Sequence, residues 1–204
     1  ILIGHAGHPE VIGTLGQIPD KFHLVSSVED VERLQVENTH DLSYVTQTTL
    51  SVDECRDIVG ALHQRFPHIK GPHQEDICYA TQNRQNAVKE LSSLVDVILV
   101  IGSPNSSNSN RLRELGERCG IASYLIDAAS DINPTWLANV KAVGITAGAS
   151  APEVLVEEVV TYLKTFGPAE VADLTVIEED VEFLLPKELI TIESSNKSVG
   201  VQVG

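Results

Sequence analysis

The chain has 204 residues, 42% of them apolar and 21% charged, with a formal net charge of −15. That size supports one large or two small globular domains, and two is the expectation. So acidic a balance excludes extended contact with nucleic acid or an anionic membrane, which require a basic face, but leaves open a small anion held locally by N–H and hydroxyl donors.

Ile1-Leu2-Ile3-Gly4 reads as a buried strand that turns through His5-Ala6-Gly7-His8-Pro9-Glu10 into a short helix, with proline in its first turn. His8 and Glu10 then sit at a strand-loop-helix corner. Imidazole and carboxylate side by side there suit proton transfer or oxyanion binding, and equally a plain helix start with Glu10 favouring the dipole. Residues 22–25 and 42–45 are the next strands, with a weak helix through Val28, Val31 and Leu34 between them. Thr46, Thr48 and Thr49 follow the second strand as local caps or, beside His8 and Glu10, as ligand donors. Ser51 and Glu54 have the spacing of a capping box for a helix whose apolar face is Val52, Cys55, Ile58, Val59, Leu62 and Phe66. This puts Cys55 in the core.

Pro67, Gly71 and Pro72 punctuate the chain, so the domain boundary is expected at residue 72. Cys78 follows in Asp76-Ile77-Cys78-Tyr79-Ala80-Thr81, ahead of a helix expected over residues 84–94. Val97-Ile98-Leu99-Val100-Ile101 is a short apolar run rich in β-branched residues, as in a parallel strand covered on both faces. Gly102 and Pro104 end it. Asn105-Ser106-Ser107-Asn108-Ser109-Asn110 then supplies hydroxyls, amides and candidate caps ahead of a helical pattern at Leu112 and Leu115. Such a corner favours an anion, typically a phosphate, although no Walker-type lysine is present and an over-polar turn has the same spacing.

Cys119 closes that helix beside Gly120. Strands are expected over residues 123–126 and 142–145, with a helix opening at Asn133-Pro134 and running through Trp136 to Val140. Thr146-Ala147-Gly148-Ala149-Ser150-Ala151-Pro152-Glu153 passes from strand to helix through small residues. Ser150 and Glu153 read as a second capping box, and the small residues as a second corner open to an anion. The acidic tail contains one stretch expected to pack, Phe183-Leu184-Leu185-Pro186, and ends in a loose segment from Ser194 to Gly204.

Three widely separated cysteines argue against a secreted disulfide framework. No stretch approaches the roughly 20 apolar residues of a membrane span, and no charged-then-apolar leader precedes the first strand, so a cytoplasmic location is expected. The chain opens inside a strand pattern and contains no methionine. It is therefore read as lacking an amino-terminal part.

Five motifs in order, His5-Ala6-Gly7-His8-Pro9-Glu10, Thr46-Gln47-Thr48-Thr49-Leu50-Ser51, Asp76-Ile77-Cys78-Tyr79-Ala80-Thr81, Asn105-Ser106-Ser107-Asn108-Ser109-Asn110-Arg111-Leu112 and Thr146-Ala147-Gly148-Ala149-Ser150-Ala151-Pro152, together resemble the LytB/IspH family of 4-hydroxy-3-methylbut-2-enyl diphosphate reductases. The resemblance runs to about Pro186. It implies an α/β fold with two similar parallel-sheet domains out of three arranged pseudo-symmetrically: residues 1–72 as the family's middle domain, 73–167 as its third, and 168–204 as a carboxyl-terminal extension. It also implies reduction of an allylic alcohol diphosphate to isopentenyl and dimethylallyl diphosphate, in the last step of the non-mevalonate isoprenoid route.

Carried over by motif, Glu10 is the proton relay, His8 a polar partner of the substrate, and Thr48 a hydrogen-bonding group near the departing hydroxyl. Ser106, Ser107, Asn108 and Ser150 grip the diphosphate, and Cys78 is a ligand of a [4Fe-4S] iron–sulfur cluster. Ferredoxin or flavodoxin is the implied electron donor. The family's amino-terminal domain, with two further cluster cysteines and two diphosphate-binding histidines, is absent from this sequence, and one thiolate does not hold such a cluster. A fragment inactive by itself is the consequence. The same Ser/Asn corners also fit a non-redox phosphate-binding module, such as part of a sugar-phosphate isomerase; Cys78 and the His8-Pro9-Glu10 run favour the reductase.

Overall fold

A computed structural model describes residues 1–18, 22–72 and 76–178. Its first sheet has the short strands β1 (Leu2–Ile3), β2 (Leu24–Val25) and β3 (Val45–Thr46) in the order β2-β1-β3, all parallel. Parallel neighbours need crossovers. The helices α1 (Pro9–Gly16) and α2 (Val28–Arg33) lie in those between β1 and β2 and between β2 and β3, and α3 (Val52–Arg65) follows β3. An isolated parallel bridge from Ser43 to Lys70 lies outside these strands.

The second sheet repeats this plan with longer strands. After α4 (Tyr79–Ser92) come β4 (Val97–Ile101), α5 (Ser107–Arg118), β5 (Ala122–Ile126), β6 (Val143–Ala147) and α6 (Glu153–Leu163), with strand order β5-β4-β6, again parallel. In each sheet the strand first in sequence is central, so its carboxyl end faces the ends of both neighbours. That is where loops with free N–H groups converge.

Burial follows the sequence pattern. Every β4 residue is at most 1% exposed. Ile98 and Val100 face Val88, Leu112 and Leu115, while Leu99 and Ile101 face Ile126, Ile132 and Val159, because successive side chains point to opposite faces. Each such side chain contributes roughly 1.5–3 kcal/mol on burial. The first sheet has its own core of Ile3, Val25, Val31, Leu50, Ile58 and Leu62, which also holds Cys55, as expected. Ile77, beyond the proline-glycine punctuation, joins this first core.

Several local expectations are corrected. The helix through Trp136 and Val140 is one 3-10 turn, Pro134–Leu137, preceded by another at Ala129–Asp131. Asn133 caps it through the Thr135 N–H, and Trp136 stacks on Tyr124 at 3.8 Å between ring centroids. Helix α4 begins five residues before the expected Arg84, at Tyr79, so Cys78 is its N-cap. Ser51 does accept the Glu54 N–H, but the Glu54 carboxylate pairs with Arg118. Ser150 caps nothing: α6 has Pro152 at its N-cap and no side-chain bond there. Phe183 to Pro186 and Ser194 to Gly204 lie outside the described residues.

Candidate active site

Four loops carry the polar groups singled out by the sequence, and each leaves the carboxyl end of a strand or leads into a helix start. In the first, His8 is the N-cap of α1, with the Glu10 N–H donating to its Nδ1 at 3.2 Å. A neutral imidazole that accepts at Nδ1 carries its proton on Nε2. Nε2 lies 2.7 Å from Ser107 Oγ and donates to it. The Ser107 O–H is thereby left to donate elsewhere.

Glu10 is partly buried, and its Oε1 accepts the Thr48 N–H at 2.8 Å. On the other side of the same residue, the Thr48 carbonyl accepts the Cys78 N–H at 3.1 Å. Carboxylate, threonine and cysteine are thus strung on one line of backbone bonds. The loop is held from beneath by Gln47, only 2% exposed, which accepts the His5 N–H at 3.2 Å and donates to Thr49 Oγ1 at 3.0 Å. Asp76 Oδ2 accepts the Thr46 N–H at 2.7 Å.

Following β4, Ser106 is the N-cap of α5 and accepts the Ser109 N–H at 3.3 Å. Asn108 stands in the first turn, 6% exposed, and among the described residues neither its amide nitrogen nor its carbonyl oxygen has a hydrogen-bond partner. A buried, unsatisfied amide costs about 1–3 kcal/mol, so a polar group waiting there points to an absent partner. Positive helix ends favour an anionic one. The fourth loop follows β6: the Gly148 N–H donates to the Ile101 carbonyl at 2.8 Å, and Ser150 is exposed beyond it.

The two sheets are tied by groups that sequence reading did not single out. Arg111 donates to His5 Nε2 at 2.5 Å and to Glu114 Oε2 at 2.5 Å. Burial, and then the charge of Arg111, hold the His5 imidazole below its ordinary value. Gln85 spans α4 and the start of α3, accepting the Val52 N–H at 3.0 Å and donating to the Leu50 carbonyl at 2.8 Å. Lys89 pairs with Asp53 at 2.6 Å and keeps that carboxyl low. Arg84 donates to the Ala147 carbonyl at 3.2 Å, joining α4 to the end of β6.

Of the three cysteines, Cys78 alone lies in this region: Cys55 is in the core and Cys119 ends α5, at the opposite end from Ser107. Among the described residues no group of three or more His, Cys, Asp or Glu side chains could hold a metal. The donors present therefore do not fit an iron–sulfur cluster unaided; Cys78 offers one thiol. Among the described residues no helix is long and apolar enough to cross a membrane.

The family model described as LytB protein matches residues 1–164. The chain is 59% identical over 189 residues to the 4-hydroxy-3-methylbut-2-enyl diphosphate reductase 2 of Bradyrhizobium diazoefficiens, covering 93% of this chain and 61% of that protein. It is 59% identical over 192 residues to the 4-hydroxy-3-methylbut-2-enyl diphosphate reductase of Aeromonas hydrophila, covering 93% and 62%. The chain thus spans about three fifths of the length of these curated relatives. Its fold superposes with a TM-score of 0.84 and 33% identity on the E-1-hydroxy-2-methyl-but-2-enyl-4-diphosphate reductase from Plasmodium falciparum, covering 97% of this chain and 63% of that one. With two parallel sheets, five motifs in order and a match over four fifths of its length, the chain belongs to the LytB protein family.

Proposed function

We propose that this chain supplies the acid, the hydroxyl-side contacts and much of the diphosphate grip of a cytoplasmic 4-hydroxy-3-methylbut-2-enyl diphosphate reductase. Residues 1–72 and 73–167 are its two α/β domains, with 168–204 an extension. The observation that carries this reading is the line from Glu10 through Thr48 to Cys78, set against the His8–Ser107 bond at an anion-favouring helix start. A phosphate-binding module needs the helix start and has no use for the carboxylate and thiol.

The overall reaction breaks the allylic C–O bond, takes up two electrons and two protons, and releases isopentenyl or dimethylallyl diphosphate and water. The electrons come from a reduced ferredoxin or flavodoxin. Cys78 would be one ligand of a [4Fe-4S] cluster whose other ligands this chain does not provide; its own side chains bind, orient and protonate the substrate. Ser106, Ser107, Asn108 and Ser150 bind the diphosphate oxygens by hydroxyl and amide donors beside the α5 amino terminus. Fixing that end of a short substrate places its hydroxyl across the site from α5, towards Thr48 and Glu10. Glu10, oriented by the Thr48 N–H on Oε1, gives its proton to the departing oxygen. His8, fixed at both ring nitrogens, supports the diphosphate end of the substrate through Ser107 and passes no proton while its cap is intact.

The test uses a full-length protein containing this chain, purified without oxygen and given the allylic alcohol diphosphate and reduced ferredoxin. A brown, iron-containing protein that forms the two diphosphate products is the expected result. A colourless, iron-free protein that binds phosphate and turns over nothing would overturn the reductase reading and leave a phosphate-binding module.

A further inference from the structure

Ser109 is completely buried at the start of α5. Its hydroxyl donates to Ser106 Oγ at 3.0 Å, and its backbone N–H donates to the same oxygen at 3.3 Å. A hydroxyl oxygen has two acceptor positions and one proton to donate. With both acceptor positions of Ser106 filled from Ser109, its own O–H is left only to donate. That is the polarity an anion requires.

Ser109 also touches the second corner. A Cβ placed on Gly102, at the end of β4, or on Gly148, at the end of β6, would lie 2.2 Å from Ser109 Oγ. The hydroxyl thus occupies a slot between two adjacent strand ends that are already joined by the bond from Gly148 N–H to the Ile101 carbonyl. Glycine at both strand ends leaves room for this one side chain.

We propose that Ser109 is a positioning residue: held in the slot between the two strand ends, it polarises Ser106 as a donor to the diphosphate. It touches no substrate itself. This rests on the diphosphate reading above.

The test is calorimetric titration of inorganic diphosphate into the 204-residue chain, its Ser109→Ala and Ser106→Ala variants, and the double variant, with circular dichroism and melting curves on each. Loss of one hydrogen bond should weaken binding by about 3- to 10-fold in Ser109→Ala. In the Ser106→Ala background the same change should add nothing, since the effect passes through Ser106. Equal losses in both backgrounds, or a lowered melting point with unchanged affinity, would make Ser109 merely structural and overturn the proposal. If Ser109→Ala does not fold, Ser109→Cys fills the slot with a weaker donor and is read in the same cycle. Failure of the unsubstituted chain to bind diphosphate would remove the anion site itself, a result distinct from a site that binds and ignores Ser109.

Discussion

His8 and Ser107, 99 residues apart, are joined by a 2.7 Å hydrogen bond from the imidazole Nε2 to the serine hydroxyl. The bond ties the start of α1 on the first sheet to the start of α5 on the second, and it fixes which way Ser107 can donate. His8→Asn retains an oxygen able to cap α1 but is too short to reach Ser107. Its melting point should match that of the parent chain while inorganic diphosphate binds about 3- to 10-fold more weakly, as for one lost hydrogen bond. Titration calorimetry and thermal unfolding on one preparation check this, and undiminished affinity would make His8 a cap only.

Asn108 leads to a prediction of opposite sign for stability and binding. Its buried amide has no partner among the described residues, so Asn108→Ala removes an unsatisfied group costing about 1–3 kcal/mol and leaves a small cavity that offsets part of the gain. The variant should melt no lower than the parent and lose at least about 10-fold in diphosphate affinity, because the groups left unpaired await the ligand. A variant that melts several degrees lower and binds normally would make Asn108 a structural residue.

His5 should make stability depend on pH. Burial and the charge of Arg111 lower its pKa from the ordinary 6.5, with Glu54 and Glu114 opposing and His8 adding to the fall. As pH drops through 6.5 the unfolded chain binds a proton that the folded chain refuses, so the stability His5 provides is present above that value and lost towards the lower folded one. His5→Gln keeps an acceptor for Arg111 and does not titrate. The melting temperature of the parent relative to this variant should fall between pH 7 and 5, all other histidines being common to both. A constant difference across that range would contradict the assignment.

Because Cys78 is the one thiol beside the site, iron and sulfide reconstitution of these 204 residues should give no stable, stoichiometric cluster. Iron and labile-sulfide analysis with visible absorbance measures this. A bound, oxygen-sensitive cluster would bring Cys55 or Cys119 into the site and require a rearranged core or helix end.

The sequence was most legible where one local rule decides the outcome. The β4 run Val97–Ile101 is apolar without alternation and is buried on both faces; Ser106, Ser51 and Pro9 mark true helix starts. It was less legible where two rules compete. Ser150 and Glu153 have capping-box spacing, yet Pro152 holds the N-cap, and Asn133-Pro134 opens a single 3-10 turn that ends where Ala138 turns extended and Asn139 takes a positive φ of 63°. The grouping of His8, Glu10, Thr48, Cys78 and Ser106 to Asn108 came from motif order, whereas their bonds came from the fold. Gln47, Gln85, Ser109 and Arg111 do not stand out in the sequence, since polar residues in loops and helices usually face water; only the packed structure buries or pairs them. Gln47 lies inside the second motif, and Ser109 and Arg111 inside the fourth, so motif membership is a signal for these three and not for Gln85.

Glu10 bears the central claim, that this chain brings the proton to the departing hydroxyl. Glu10→Gln retains an oxygen for the Thr48 N–H, so the loop should keep its shape, and the amide has no acidic proton to give. In a full-length reductase containing this chain, kcat for the allylic alcohol diphosphate should fall by about 100- to 10,000-fold with little change in substrate affinity, as for loss of a general acid. Unaltered kcat with a lowered melting point would leave Glu10 as a partner of the α1 dipole and remove it from the reaction.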